Sequence, residues 1–395
     1  MRLSMLMPLM LLALVQGCST MGPTRNIQGK VPLNRTITEL PEDRLLDVWV
    51  ELFAPGKLPE DEDEALGLSM EIREAEARYL PEQLRATMEN TGYWGAVRLV
   101  PRGTTGSEVL VQGTILESDG ENLALEITAL DATGRQWFKR TYRDEVIASQ
   151  YRLSAMDGED VFQPLYNTIA NDLSNYRAKL DPAQTTAIRR VATLRFAADV
   201  APDAFEGYIE EEEDGFEVVR LPAKDDPIYR RVLAIRERDL LLVDTLNGHF
   251  DNFSREMKQP YTEWRKARSE EASALRKVER DALQRKLLGA AAIIGAIALQ
   301  GSNRNNNAGY DVLRDVLVLG GAYAIKTGFD KSSETDIHEE AIAELDESFS
   351  SEARPMVVEV EGKTHRLTGS AEVQYAKWRA LLKRLYATET GLPSP

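Results

Sequence analysis

Two runs, Val109-Leu110-Val111-Gln112-Gly113-Thr114-Ile115 and Leu123-Ala124-Leu125-Glu126-Ile127, carry apolar side chains at every second position. A period of two marks a half-buried β-strand. Ser118-Asp119-Gly120-Glu121 lies between them as a hairpin turn, with glycine where a positive φ costs little. Asp131-Ala132-Thr133-Gly134 turns again, and residues 136–142, with Trp137, Phe138 and Tyr142, make the last strand of a meander.

Upstream the period changes. Ile72, Ala75, Tyr79, Leu80, Leu84 and Met88 recur at three- and four-residue steps within 69–90, as on one face of a helix. Pro81 is expected to kink or split that helix, and Gly92 to stop it. Residues 45–53 alternate at Val48, Val50 and Leu52 and read as an opening strand; 93–100, with Val97 and Leu99, read as another. A strand, a helix and then a strand meander predict a sheet with a helix packed on one face. The whole chain is expected to be α+β: a tether (18–43), a small sheet-plus-helix domain (44–147), a mainly helical body, and a C-terminal helix-hairpin-helix unit (332–395).

The stretch Gly92-Tyr93-Trp94-Gly95-Ala96-Val97-Arg98-Leu99-Val100-Pro101, followed by Val111-Gln112-Gly113-Thr114-Ile115 and Leu125-Glu126-Ile127, resembles an α/β domain of periplasmic lipoproteins. The likeness is to lipoproteins of the curli-secretion type, to transport-auxiliary lipoproteins and to the amino-terminal domain of the Tol-Pal periplasmic protein. It covers about a quarter of the chain. It implies a docking or assembly module, and it brings no catalytic residue with it.

The first seventeen residues point to the same compartment. Arg2 precedes an apolar run over 6–15, which ends at Gln16-Gly17-Cys18-Ser19. A charge, a short apolar core and a small-residue exit make a secretory signal (1–17). The run is too short for a hydrocarbon core of ~30 Å. Cys18 is the only cysteine. This arrangement resembles a bacterial lipoprotein signal, which implies cleavage between Gly17 and Cys18 and lipidation of Cys18. Ser19, in place of Asp, resembles the pattern of lipoproteins sent to the outer membrane. The membrane is then a partner through the anchor, since one acyl chain binds only marginally but several hold firmly.

The net charge of −16 argues against nucleic acid, which requires a basic face. It also disfavours a membrane held by surface charge alone. With one cysteine no internal disulfide is available.

The body (148–286) reads as helices. Val161, Leu165, Ile169, Leu173 and Tyr176 fall on one face over 160–179; Asp181-Pro182 opens the next helix, and Asp226-Pro227 a third. The acidic run Glu210-Glu211-Glu212-Glu213-Asp214 lacks the ligand spacing of a calcium loop and reads as a solvated loop, with a short strand after it at 216–221. Residues 247–285 form a long charged helix with a thin stripe of Tyr261, Trp264, Ala272, Leu275, Val278 and Leu283 and an irregularity expected at Pro260.

Residues 287–299 are wholly apolar, and 312–328 nearly so, around a polar loop at 301–309. Gly289, Ala291 and Gly295 in the first arm, and Gly320, Ala324 and Gly328 in the second, are candidate helix-packing positions for a hairpin (287–331), since small residues four apart let helix backbones meet. Thirteen apolar residues rise only ~20 Å, and Arg314 and Asp315 interrupt the second arm, so burial against protein is favoured over insertion in a bilayer. In the C-terminal unit Ser333 is expected to start a helix, 357–368 a β-hairpin, and Gly369-Ser370 a final helix with Val373, Trp378, Leu381, Leu382 and Leu385 inward.

No nucleophile elbow, phosphate loop or dinucleotide fingerprint is present. His249, His338 and His365 lie far apart, with no metal-ligand spacing. No metal, cofactor or enzymatic activity is expected. The reading is a lipid-anchored, periplasm-facing outer-membrane protein with a structural, assembly or docking role, which meets an envelope protein or itself. Its rivals are a membrane-inserting subunit of a secretion pore and a cell-wall hydrolase using a carboxylate pair.

Overall fold

The computed structural model describes residues 22–60, 68–212, 215–223, 225–299, 344, 356–360, 363–368 and 370–390. Its centre is a six-stranded sheet of β1 (Thr24–Asn26), β2 (Val48–Glu51), β3 (Val97–Val100), β4 (Val109–Ser118), β5 (Asn122–Asp131) and β6 (Gln136–Glu145), in the spatial order β1-β6-β5-β4-β2-β3. The meander β4-β5-β6 is antiparallel; β2 runs parallel to both β3 and β4, and β1 runs parallel to β6. With the helices that follow, the chain is α+β, its sheet first and its helical body after.

The period-two pattern is realised in β4. Val109, Val111 and Ile115 are buried, while Leu110, Gln112 and Thr114 are half-buried on the other face. Gly113 shares the buried face because a Cβ there would lie 2.4 Å from the ring of Phe53.

The first helix, α1 (Met70–Glu89), is capped by Ser69, whose hydroxyl accepts from the Ile72 N–H. It runs through Pro81 as one element, so of the kink or split expected there the split does not occur. Proline removes the N–H that would have bonded the Ala77 carbonyl. That carbonyl instead accepts from the backbone N–H of Phe53, at 2.9 Å. The chain just past β2 therefore takes up the group that Pro81 leaves free.

Three helices follow the meander: α2 (Ala148–Asp157), α3 (Gln163–Arg177) and α4 (Pro182–Val200), then a single turn, α5 (Pro202–Phe205). The sequence reading missed α2, whose apolar residues have no clean period: Tyr151 is buried, while Leu153 and Met156 are exposed. Asp181 and Gln184 cap α4 reciprocally. The first three residues of the acidic run, exposed as expected, belong to a strand and not to a loop. Ile209–Glu212 is a strand, β7, paired antiparallel with β8 (Gly215–Val218). The Phe216 N–H donates to the Thr133 carbonyl and Arg195 covers the Phe216 ring, which pins this hairpin to the β5–β6 turn.

The segments expected as separate helices after Asp226 are one helix. α6 (Pro227–Leu299) has 73 residues and is ~110 Å long at 1.5 Å per residue. A ten-residue strand of the sheet spans only ~33 Å. Pro260 does not end it. Met257, Tyr261 and Trp264 are fully buried around that position, and burial of such side chains, at roughly 1.5–3 kcal/mol each, outweighs the proline penalty of about 3 kcal/mol. The apolar run 287–299 is the last stretch of α6, and the other arm of the expected hairpin lies outside the described residues.

At the C-terminal end β9 (Met356–Val360) and β10 (Lys363–Leu367) form the expected hairpin. The last helix, α7 (Ala371–Thr390), packs on α6 and α4. Ser370 caps it and so sets its phase, which buries Ala371, Tyr375, Trp378, Leu382 and Leu385 but leaves Val373 exposed, contrary to expectation. The helix expected from Ser333, and the second apolar stretch 312–328, lie outside the described residues.

The segment read as a tether, 18–43, is engaged with the domain from Gly22 onward. A Cβ at Gly22 would lie 2.0 Å from the Lys139 carbonyl oxygen, so only glycine fits where the chain meets β6. Thr24–Asn26 then pairs with 141–143. Ile27 is buried, and Asn167 and Asn171 of α3 donate to the Val31 and Pro32 carbonyls.

Candidate functional site

The densest polar cluster lies where α6 crosses α1. Glu76 falls on the apolar face of α1, between Ile72 and Tyr79, and is fully buried. One of its carboxylate oxygens accepts from the hydroxyls of Ser118 in β4 and Tyr261 in α6. Arg73 stands 3.6 Å from the other. Burial raises the Glu76 carboxyl above the usual carboxylate range, opposed by Arg73 and the two hydroxyl donors. One turn along α6, Arg265 is 1% exposed. It donates both terminal nitrogens to Asp160, at 2.6 and 3.2 Å, and its guanidinium stacks over Tyr261. Two acids and two arginines thus sit out of water together, which is tolerable only when each is paired.

A second cluster joins the two ends of the chain's helical body. Asp239 of α6 is 1% exposed and accepts from Arg379 at 2.8 Å and Tyr375 at 3.4 Å. Arg379 also donates to Asp199 of α4, as does Lys383. α7 is thereby bonded to two helices at once.

A third contact closes one edge of the sheet. The register of β2 with β3 turns the backbone of Leu99 outward. Asn247 of α6 meets it with both ends of its amide: Oδ1 accepts from the Leu99 N–H at 2.6 Å, and Nδ2 donates to the Leu99 carbonyl at 2.8 Å. The side chain stands in for a neighbouring strand. Beside it Arg98 donates to Asp244 and Asp47.

Chemically, these clusters clamp. Ser118 is next to a carboxylate, the pairing of a nucleophile with its base, but it is buried and its hydroxyl is spent on Glu76. Among the described residues no group of three or more His, Cys, Asp or Glu side chains could hold a metal ion. Nor, among them, is any helix long and apolar enough to cross a membrane.

The opposite edge is different in kind. β1 has three residues, all exposed. Around it Arg25, Arg140, Lys179, Asp172, Phe138 and Tyr176 line an open groove of about 380 Å³. In β6 nearby, Asp144 is 6% exposed, and burial pushes its carboxyl up to about 6.

Of the residues singled out from sequence, Gly17 and Cys18 lie outside the described residues, as do Gly320, Ala324 and Gly328. Gly289 and Gly295 lie in the last turns of α6. Reading for motifs missed Glu76, Asp160, Arg265 and Asn247. Glu76 did leave a signal: an acid on the apolar face of an amphipathic helix must find partners. No known family, characterised protein or solved structure matches the chain.

Proposed function

We propose that this protein is a lipid-anchored, periplasm-facing factor of the outer membrane that docks or helps assemble an envelope component. The observation that carries the reading is the placing of two elements at opposite edges of one sheet. β1, beginning six residues after Cys18, forms one edge; α6 covers the other through Asn247. Five strand spacings of ~4.8 Å separate these edges by ~24 Å. An anchor on one side and a 73-residue helix clamped on the other suit a spacer that holds a contact surface away from its attachment. The contact surface is the apolar end of α6, 287–299, with Gly289 and Gly295.

Palmitate labelling of cells tests the anchor: label is expected in the wild-type chain and not in Cys18→Ala. Photo-cross-linking from Ala291 in intact cells tests the docking end, with a defined envelope protein or a second copy expected in the adduct. Label entering Cys18→Ala equally would sink the anchor. Ring oligomers that stay in the membrane without it would replace docking by a pore.

A further inference from the structure

The groove beside β1 is cationic on an acidic chain. Arg25, Arg140 and Lys179 line it against one carboxylate, Asp172, in a protein of net charge −16. Asp172 forms an ion pair with Arg25 at 3.1 Å and accepts from Arg140 at 2.7 Å and from the Tyr142 hydroxyl at 2.8 Å. Each arginine spends one nitrogen on Asp172, and a guanidinium has five donors, so most of their capacity stays available. Asp172 fixes the two forks side by side, and a preset pair of guanidinium groups is suited to phosphate oxygens. The wall is aromatic. Tyr176 ends a stack with Trp137 and Trp94, at ring spacings of 4.7 and 6.2 Å, and Arg140 lies over Phe138.

Position selects the source of the phosphate. Gly22 is pressed against the Lys139 carbonyl, four residues after Cys18, and four residues reach at most about 14 Å. If Cys18 carries acyl chains, Gly22 lies within that short reach of the lipid headgroups, and Arg25 of the groove follows three residues later. We infer that this groove binds the phosphate of an anionic phospholipid headgroup and so sets the orientation of the domain on the bilayer. The inference rests on the anchor reading above. The anchor supplies retention; the groove supplies a preferred face, against the repulsion that the rest of the acidic surface feels.

The test uses the lipidated full chain on vesicles of phosphatidylcholine alone and of phosphatidylcholine with phosphatidylglycerol, read by amide exchange at 24–27 and 175–179. Both vesicles are expected to retain the protein, but only the anionic ones slow exchange in those segments. Lys179→Ala, at an exposed position, and Arg140→Ala are each expected to weaken that protection about fivefold, the effect of one cation near an anionic surface. Equal exchange on the two vesicles, with the chain retained, overturns the groove and spares the anchor. Loss of the chain from both vesicles overturns the anchor and the lipid assignment together. The same protection from inorganic phosphate without vesicles assigns the groove to a free anion and overturns the lipid assignment.

Discussion

The two edges of the sheet solve one problem in opposite ways. An unpaired edge offers N–H and C=O groups to any passing strand. At β3 the edge is closed: Asn247 satisfies the outward Leu99 backbone, and Arg98 is tied to Asp244 and Asp47. At β1 the edge is only shortened. It has three exposed residues, and its register leaves the Thr24 and Asn26 backbones facing away from β6. Charge, from Arg25 and its neighbours, is the other device that deters strand addition there. A closed edge fixes a long element in place; a short charged edge stays open to a ligand. One side of the sheet is covered by α6 through Asn247, and the other is left as a short, exposed, charged edge.

Breaking the clamp where α6 crosses α1 has the largest expected effect. Asp160→Ala leaves Arg265 buried without its carboxylate, which typically costs about 3–5 kcal/mol. Urea unfolding is expected to show that loss, and a change under 1 kcal/mol would mean that α6 is held some other way. Near the open edge Asp144→Asn is expected to act in the other direction. Its folded value of about 6 lies above the usual 3.8. The acid form is therefore favoured by folding, and its contribution is complete below pH ~4 and lost as pH rises through 6. At 1.36 kcal/mol per unit the cost of ionisation approaches about 3 kcal/mol. The asparagine variant is expected to recover most of it at pH 7.5 and to flatten stability between pH 4 and 6. An unchanged slope would clear Asp144 of that role.

Asn247→Ala sharpens the comparison directly. Losing both bonds to Leu99 is expected to cost about 2 kcal/mol and to raise amide exchange at Leu99, making the closed edge resemble the open one. Unaltered exchange there would show that α6 covers β3 without the amide. The smallest effect is expected from Pro81→Ala. Replacing a proline inside a helix ordinarily gains about 3 kcal/mol. Here the Ala77 carbonyl already accepts from Phe53, so the expected change is under about 1 kcal/mol. A gain near 3 would show that the bond from Phe53 does not compensate.

Much of this architecture was legible. Alternation at Val109, Val111 and Ile115 located β4, and the three- and four-residue steps from Ile72 to Met88 located α1. The Asp181-Pro182 pair located α4. These are local signals: a strand's period, a cap, a fixed φ. The continuity of α1 through Pro81 was not legible, because the group that rescues it belongs to Phe53, on another element. A helix through Pro260 was legible, but not that a single helix joins all the segments from Pro227 to Leu299. The acidic residues 210–212 read as part of a loop because their charge is local, while Phe216's docking on Thr133 is not.

The sequence alone determined the period of each element, its caps, the acidic balance, and the one cysteine from which the anchor reading starts, since each depends on neighbours along the chain. The tertiary structure alone decided which buried acids meet which arginines, that Asn247 completes the edge at Leu99, and that Arg25 joins Arg140 across more than a hundred residues. Those pairings are set when the sheet closes and the helices pack, because a charge out of water is bearable only beside its opposite, and nothing in the linear order says where that opposite will be.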